Sequence, residues 1–219
     1  MRILIVAATA PEVAPFLERM DPTPTADACV TAYTDGGHEI HALITGAGMV
    51  ATAARCSRAL TRTAYDLALN VGVCGSFDAA IPLGTVVHVV SDRLAELGAE
   101  DGETFLTLEE LQLPGESAFT NAAPPSNPVL EQLPAVSGIT VNTVHGNERT
   151  IALVIQRFKP QVESMEGAAF MSACLINRIP FAQVRAVSNL VERRNRESWR
   201  LADAIHNLGA TALRIIGAA

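Results

Sequence analysis

The sequence predicts an α/β fold: a three-layer α/β/α sandwich around a central mixed, mostly parallel sheet. Three observations carry the prediction. Arg2–Ala8 (RILIVAA) is a continuous apolar run, as in a strand buried on both faces. Similar runs alternate along the chain with segments of helical period, the pattern of a sheet covered by helices. Of 219 residues, 49% are hydrophobic and 18% charged, enough for one sizeable core. No repeat, low-complexity tract or linker interrupts the pattern, so residues 1–219 read as a single domain.

The elements follow in order. Pro11–Met20 reads as a helix, with proline near its start and Val13, Phe16, Leu17 and Met20 at helical spacing. Cys29–Thr34 and Glu39–Thr45 read as a strand pair around the turn Asp35-Gly36-Gly37. Met49–Arg62 is Ala-rich and helical, and Leu67–Val73 and Thr85–Val90 are strands. Pro114–Pro134 holds five prolines and reads as a surface excursion, after which strand-like sequence resumes at Ile139–Val144. A helix from about Glu148 to Phe158, a helix Glu166–Asn177, a strand Phe181–Ser188 and a long helix Arg196–Ile216 complete the chain.

Composition excludes several classes. Sixteen basic residues face 23 acidic ones, a net charge of −7, so no basic face is available for nucleic acid. Fifteen of the 16 are Arg, and Lys159 is the sole lysine. No run approaches the ~20 apolar residues of a spanning helix, and MRILIVAATAPEV lacks the features of a signal peptide. A cytoplasmic protein with no membrane partner is expected. Cys29, Cys56, Cys74 and Cys174 are widely spaced, without CxxC, and each reads as a small buried apolar residue. No metal or other cofactor is expected.

Gly46-Ala47-Gly48-Met49-Val50-Ala51 matches G-x-G-x-x-A, the dinucleotide fingerprint. It follows a hairpin rather than the first strand, and Asp66 precedes its strand instead of ending it, so NAD binding is disfavoured. Met49 stands where a phosphate-binding loop would carry lysine. The loop reads as a tight turn or as the lining of a different ligand site.

In α/β sheets ligands bind at the C-terminal ends of the strands. Four places there are polar. Glu12 follows the first strand. Gly72-Val73-Cys74-Gly75-Ser76 follows LALNV. Met165-Glu166 opens a helix. Arg185 and Ser188-Asn189 end the strand FAQVRAVS. Each has a structural reading: first-turn acids favoured by the helix dipole, an ion-pair arginine, a helix cap. Together they favour a site of two carboxylates, an arginine and an amide.

The combination resembles the purine nucleoside phosphorylase/nucleosidase family. The resemblance rests on the N-terminal strand with Glu12, TGAGMVATAA at Thr45–Ala54, NVGVCGSFD at Asn70–Asp78, VESMEGAA at Val162–Ala169 and VRAVSN at Val184–Asn189. These stretches span nearly the whole chain in family order. DRLAELGAEDG at Asp92–Gly102 and VHGNE at Val144–Glu148 look most like its hypoxanthine-releasing hydrolases. The resemblance implies a general base at Glu12, a ribose-binding glutamate at Glu166, a methionine against the ribose at Met165, and an arginine holding water at Arg185. It places Asn189 where adenine-releasing members carry an aspartate at purine N7. Thr9, Gly75, Ser76 and Thr150 are further binding candidates. It also implies a nucleoside as the small-molecule partner and a homo-oligomer, a dimer or larger.

The chemistry suits these residue types. Breaking a ribosyl–purine bond builds positive charge on the sugar, which a nearby carboxylate stabilises. Water has to be placed and partly deprotonated, a task for a general base. Asparagine donates to a 6-oxo group and accepts from N7–H, so Asn189 favours a 6-oxopurine over adenine. It cannot supply a proton by titration. Val73-Cys74 offer no hydroxyl to a phosphate and Glu12 would repel one, so water is the expected nucleophile. Arg93, Arg149 and Arg196 are candidates for an acidic group on the substrate, and His145 reads first as a structural histidine. An adenine-releasing nucleosidase, a phosphorylase, a non-catalytic nucleoside binder and an NAD-dependent oxidoreductase are the alternatives.

Overall fold

Strand β1 (Arg2–Ala7) runs through the middle of the molecule, with five of its six residues buried. The computed structural model describes residues 1–25 and 29–219. After β1 come α1 (Ala10–Leu17), β2 (Thr23–Pro24), β3 (Val30–Asp35), β4 (His38–Ile44), α2 (Met49–Arg62) and β5 (Leu67–Ser76). Next are β6 (Val86–Leu94), β7 (Gly98–Asp101), β8 (Thr104–Thr107), β9 (Ala118–Thr120), β10 (Ala135–Thr140) and α3 (Glu148–Phe158). β11 (Val162–Ser164), α4 (Gly167–Asn177), β12 (Phe181–Leu190) and α5 (Leu201–Gly217) complete the chain.

The main sheet has the order β11-β10-β6-β12-β5-β1-β4-β3-β2, with β9 beside β6. It is mixed. Among the described residues parallel and antiparallel pairings are equal in number, five of each, so "mostly parallel" is corrected. The longest ladder, β12 on β5, is parallel, while β2 with β3 and β3 with β4 are antiparallel, the second pair joined by the tight turn at Gly36-Gly37. β11 pairs with both β10 and β5, which closes β5, β12, β6, β10 and β11 into a ring. Cys74, Val87, Val89, Val136, Val162 and Val187 cluster there, at least one from each strand of the ring.

Alternation along β1 sorts the core. Ile3, Ile5 and Ala7 join Val13 and Phe16 of α1 and Leu208, Ala212 and Ile215 of α5. Leu4 and Val6 join Cys56 and Leu60 of α2 and Phe170, Met171 and Cys174 of α4. Helix α4 is buried on nearly all sides, consistent with its apolar sequence.

Several elements differ from expectation. The strand expected at Ile139–Val144 lies earlier, because beyond Thr140 the N–H groups of Asn142 and Thr143 donate to the Glu96 carboxylate instead of a neighbouring strand. Pro114–Pro134 is more than a surface excursion. It contains β9, and Val129 and Leu130 enter the core while Asn127 Nδ2 donates to the Ile215 carbonyl. The last helix begins at Leu201, after a short turn at Arg196–Ser198. Cys56, Cys74 and Cys174 are buried as expected, but Cys29 is exposed. Burial pushes the Cys56 and Cys74 thiols up to about 12, which leaves them protonated. Lys159 caps α3 in the left-handed conformation, at φ 47° and ψ 47°. Among the described residues, no helix is long and apolar enough to cross a membrane.

Candidate active site

The end of β1 turns directly into α1, so Glu12 lands one helical turn from the strand. The two oxygens of Glu12 have different partners. Oε2 accepts from Thr9 N–H at 2.8 Å and Thr9 Oγ1 at 2.9 Å, at the start of its own helix. Oε1 reaches β5 and accepts from Val73 N–H at 3.1 Å. The side chain is buried. Thr9 therefore acts on the carboxylate.

β5 and β12 lie side by side and place Asn70, Gly72, Gln183 and Arg185 together. Arg185 is the largest fully buried side chain among the described residues, 1% exposed. Its guanidinium donates from Nη2 to Asn70 Oδ1 at 2.5 Å, from Nε to Gln183 Oε1 at 3.1 Å and from Nη1 to Glu166 Oε2 at 3.4 Å. Gly72 makes this possible. A Cβ there would collide with Arg185 Nη1 and sit 2.8 Å from Glu12 Oε1. The absent side chain lets Glu12 and Arg185 approach the same place.

Glu166 is the residue before α4 rather than within its first turn. Its Oε1 accepts from Gly48 N–H at 3.2 Å. The glycine loop thus lines this site: Gly46 and Gly48 have φ of 78° and 98°, and the left-handed turn aims a backbone donor at the carboxylate. Met165, partly buried, precedes Glu166.

Behind the arginine lies a buried relay. Gln183 Nε2 donates to Asp92 Oδ2 at 3.0 Å, Thr140 Oγ1 donates to Asp92 Oδ1 at 2.9 Å, and Ala168 N–H donates to Thr140 Oγ1 at 2.7 Å. Burial pushes the Asp92 carboxyl up to about 6, against the hydrogen bonds of Gln183 and Thr140. Gly167 is confined by this relay, since a Cβ there would collide with Asp92 Oδ2 and Gln183 Oε1.

The ladder of β12 on β5 skips Ser188: Val187 pairs with Cys74 and Asn189 with Gly75. Ser188 Oγ donates to Asn189 Oδ1 at 2.8 Å, and Asn189 Nδ2 donates to the Leu190 carbonyl at 2.8 Å. Gly75 lies beside the amide: an added Cβ would be 3.3 Å from Asn189 Nδ2 and 3.5 Å from Glu163 Cγ. The buried Glu163 receives His145 Nδ1 at 2.7 Å and His145 N–H at 3.1 Å. A cavity of about 750 Å³ opens next to His145, lined also by Phe105, Val144, Asn147, Thr150 and Arg157.

The other predicted residues stand apart. Ser76 Oγ donates to the carbonyls of Asp78 at 2.9 Å and Gln161 at 3.3 Å, which closes the turn after β5. Thr150 Oγ1 donates to the Asn147 carbonyl at the start of α3. Neither hydroxyl is bonded to a carboxylate. Arg93 bonds Ser117 at 2.8 Å, Arg149 pairs with Glu103, and Arg196 lies 5.9 Å from the Trp199 ring, so all three have other partners. The arginine that does line the cavity is Arg157, stacked 4.1 Å over Phe105. Sequence reasoning also missed Asn70, Asp92, Glu163 and Gln183. For Asn70 and Gln183 the signal was a polar residue in a largely apolar stretch, LALNV and FAQV, whereas Asp92 and Glu163 stand beside other polar residues and carried no such signal.

The Phosphorylase superfamily model matches residues 2–217. Futalosine hydrolase of Acidothermus cellulolyticus is 34% identical, covering 99% of this chain and 89% of that protein. Futalosine hydrolase of Streptomyces coelicolor is 33% identical, covering 80% of each. Among solved structures, the 5′-methylthioadenosine/S-adenosylhomocysteine nucleosidase of Colwellia psychrerythraea, in complex with adenine, is similar at a TM-score of 0.81 and 25% identity. That match covers 99% of this chain and 95% of that one. The native futalosine hydrolase of Helicobacter pylori shares the fold at a TM-score of 0.84 and 15% identity, covering 99% and 97%. The chain belongs to the Phosphorylase superfamily and, within it, to the futalosine hydrolase family.

Proposed function

We propose that the chain hydrolyses the N-glycosidic bond of futalosine, releasing hypoxanthine and dehypoxanthine futalosine, on the futalosine route to menaquinone. The single observation that carries the reading is the buried set Glu12, Arg185 and Glu166, with one acceptor site still open on each reacting oxygen. A carboxylate oxygen has about two lone-pair sites. Glu12 Oε2 already has two donors, whereas Oε1 has only Val73 N–H. The base that takes the water proton is therefore Oε1. Glu166 carries one protein donor on each oxygen, Gly48 N–H and Arg185 Nη1. Each oxygen keeps one site, which fits two vicinal ribose hydroxyls.

The steps follow. Water adds to C1′ as the C1′–N9 bond breaks. Its proton passes to Glu12. The positive charge that develops on the sugar faces Glu166, held in a buried and preorganised setting. Met165 lies against the ribose, and Arg185 keeps Glu166 in place and has N–H groups to spare for the water. The C1′–N9 electron pair leaves with the base, Asn189 meets N7 with one amide hydrogen and one oxygen lone pair uncommitted, and the base takes a proton from solvent while Glu12 returns the one it took from water.

In the same reading α1 with α5, and α2 with α4, form the two outer layers of an α/β/α sandwich around the sheet. The chain is one domain, works in the cytoplasm as a homo-oligomer, and has no nucleic-acid partner. A second reading, an adenine-releasing nucleosidase, draws on the likeness to the Colwellia enzyme. One assay separates them. The protein is incubated with futalosine or methylthioadenosine, with and without phosphate, and free base is measured. Hypoxanthine from futalosine without phosphate is expected. No hypoxanthine, or strict phosphate dependence, overturns the reading.

A further inference from the structure

The residues that follow Asn189 take no part in the steps above, yet residues 191–200 hold four of the chain's arginines against two glutamates, in a protein of net charge −7. Resting on the nucleosidase reading above, we propose that this stretch is a cationic strap at the rim of the site that selects nucleosides carrying a carboxylate. Arg194, stacked on Trp199, is the residue that meets that carboxylate.

Placement is the first support. Both ends of the strap are pinned to the strands of the site. Val191 N–H donates to the Ser76 carbonyl and Arg200 N–H to the Ser188 carbonyl, each at 2.8 Å. Val191 packs over Gly75, where an added Cβ would sit 2.9 Å from its Cγ2. Further on, the strap lies against Gly146: a Cβ there would be 3.9 Å from the Glu192 carbonyl oxygen and 4.0 Å from Arg194 N. Gly146 lines the cavity of about 750 Å³ beside His145. The strap thus runs from the strand that carries Asn189 to the cavity rim.

Uncommitted donors are the second. Arg194 Cζ lies 5.0 Å from the centre of the Trp199 ring, and Arg196 Cζ lies 5.9 Å from the same ring, the chain's one tryptophan. Stacking on a ring face holds a guanidinium without using its N–H groups. Among the described residues, no hydrogen bond or ion pair engages the side chain of Arg193 or Arg194. Arg200, by contrast, faces Asp203 at 4.0 Å, and Glu192 accepts from Ser198 Oγ at 3.4 Å. Arg194 therefore presents a planar fork that matches a carboxylate.

Charge is the third. The protein is negative as a whole, and Glu12 and Glu166 stand in the site, so an anionic nucleoside is repelled at long range. Futalosine carries a benzoate group. A local cationic strap offsets the repulsion and favours the carboxylate, while a neutral nucleoside gains nothing from it. Arg194 is then a specificity residue and Trp199 its positioning residue.

The test compares futalosine with its benzamide counterpart, in which a neutral amide replaces the carboxylate. For both compounds kcat/KM is measured at low and high salt, and binding is measured by titration calorimetry. Wild type is expected to prefer the acid, and the preference shrinks as salt screens the strap. Arg194→Gln is expected to lower the acid-to-amide ratio about tenfold, in kcat/KM and in affinity alike. Arg194→Lys keeps the charge without the planar fork and recovers part of the ratio. Trp199→Leu removes the stack and lowers the ratio, whereas Trp199→Phe retains it. A ratio that ignores either salt or Arg194→Gln overturns the proposal, as does an equal loss on both compounds or a failure to bind either. If the wild type releases no hypoxanthine from futalosine, the functional reading fails; the calorimetric ratio and its dependence on Arg194 still decide the proposal.

Discussion

The two ends of the site are built differently. At the end holding Glu12, Glu166 and Arg185, proposed above to meet the sugar, every charged group is buried and held by protein. Arg185 has three partners from three strands or loops, and Glu12 has three donors. At the other end, proposed to meet the base, Asn189 is only partly buried, and His145 borders an open cavity. In the proposed reaction the first end has its charge in place before any cation forms, so little reorganisation is needed when the bond breaks. The base end keeps hydrogen-bonding capacity open, which suits a group that has to arrive, be recognised and leave. Charge stabilisation calls for rigidity, and recognition calls for unsatisfied valences.

The largest test of this contrast is Glu12→Gln. It is expected to lower kcat by ~10²–10⁴-fold while substrate still raises the melting temperature. Turnover within a few-fold of wild type would remove Glu12 from the reaction. Next is Arg185→Met, which leaves Glu166 buried with Gly48 N–H as its remaining partner. Breaking a buried pair costs about 3–5 kcal/mol, read as a lower urea midpoint. A midpoint equal to wild type would show that the sugar end is not held by this arginine.

Asp92 gives a pH test of the relay. Its folded value of about 6 lies above the ordinary 3.8. Between these values the folded protein holds a proton that the unfolded chain has released. Its contribution to stability is therefore full below pH ~4 and is lost as pH rises through ~6, at up to about 1.4 kcal/mol per unit. Subtracting the stability profile of Asp92→Asn from that of wild type should reveal this slope. A flat difference from pH 4 to 6 would break the assignment. The smallest effect is expected at the base end. Asn189→Asp should move the ratio of 6-amino to 6-oxo turnover upward by about tenfold with little change in stability. A ratio that stays put would leave Asn189 without a part in base choice.

Much of the sugar end was legible because Glu12, Glu166 and Arg185 follow or end strands, where parallel neighbours bring polar residues to one edge. The glycine loop was legible as a turn, and the structure sets it beside Glu166, to which Gly48 donates. The Asp92–Gln183 relay was harder to read. It depends on which interior positions of β6 and β12 face each other, and that register is set by long-range pairing. The ring closed by β11 was invisible for the same reason: three residues between a proline and a helix carry no periodic signal. The equal share of antiparallel pairings was missed because short strands such as β9 and β11 join late, in sequence regions dominated by turns.

One detail of α3 has a practical side. Lys159 is exposed, ends the helix in a left-handed conformation, and is the only side-chain amine in the sequence. The eleven-residue helix carries it roughly 16 Å from the end that borders His145. An amine-reactive dye or surface linker would therefore attach to this protein's side chains at a single known point. The other amine such a reagent would meet is the exposed α-amine of Met1.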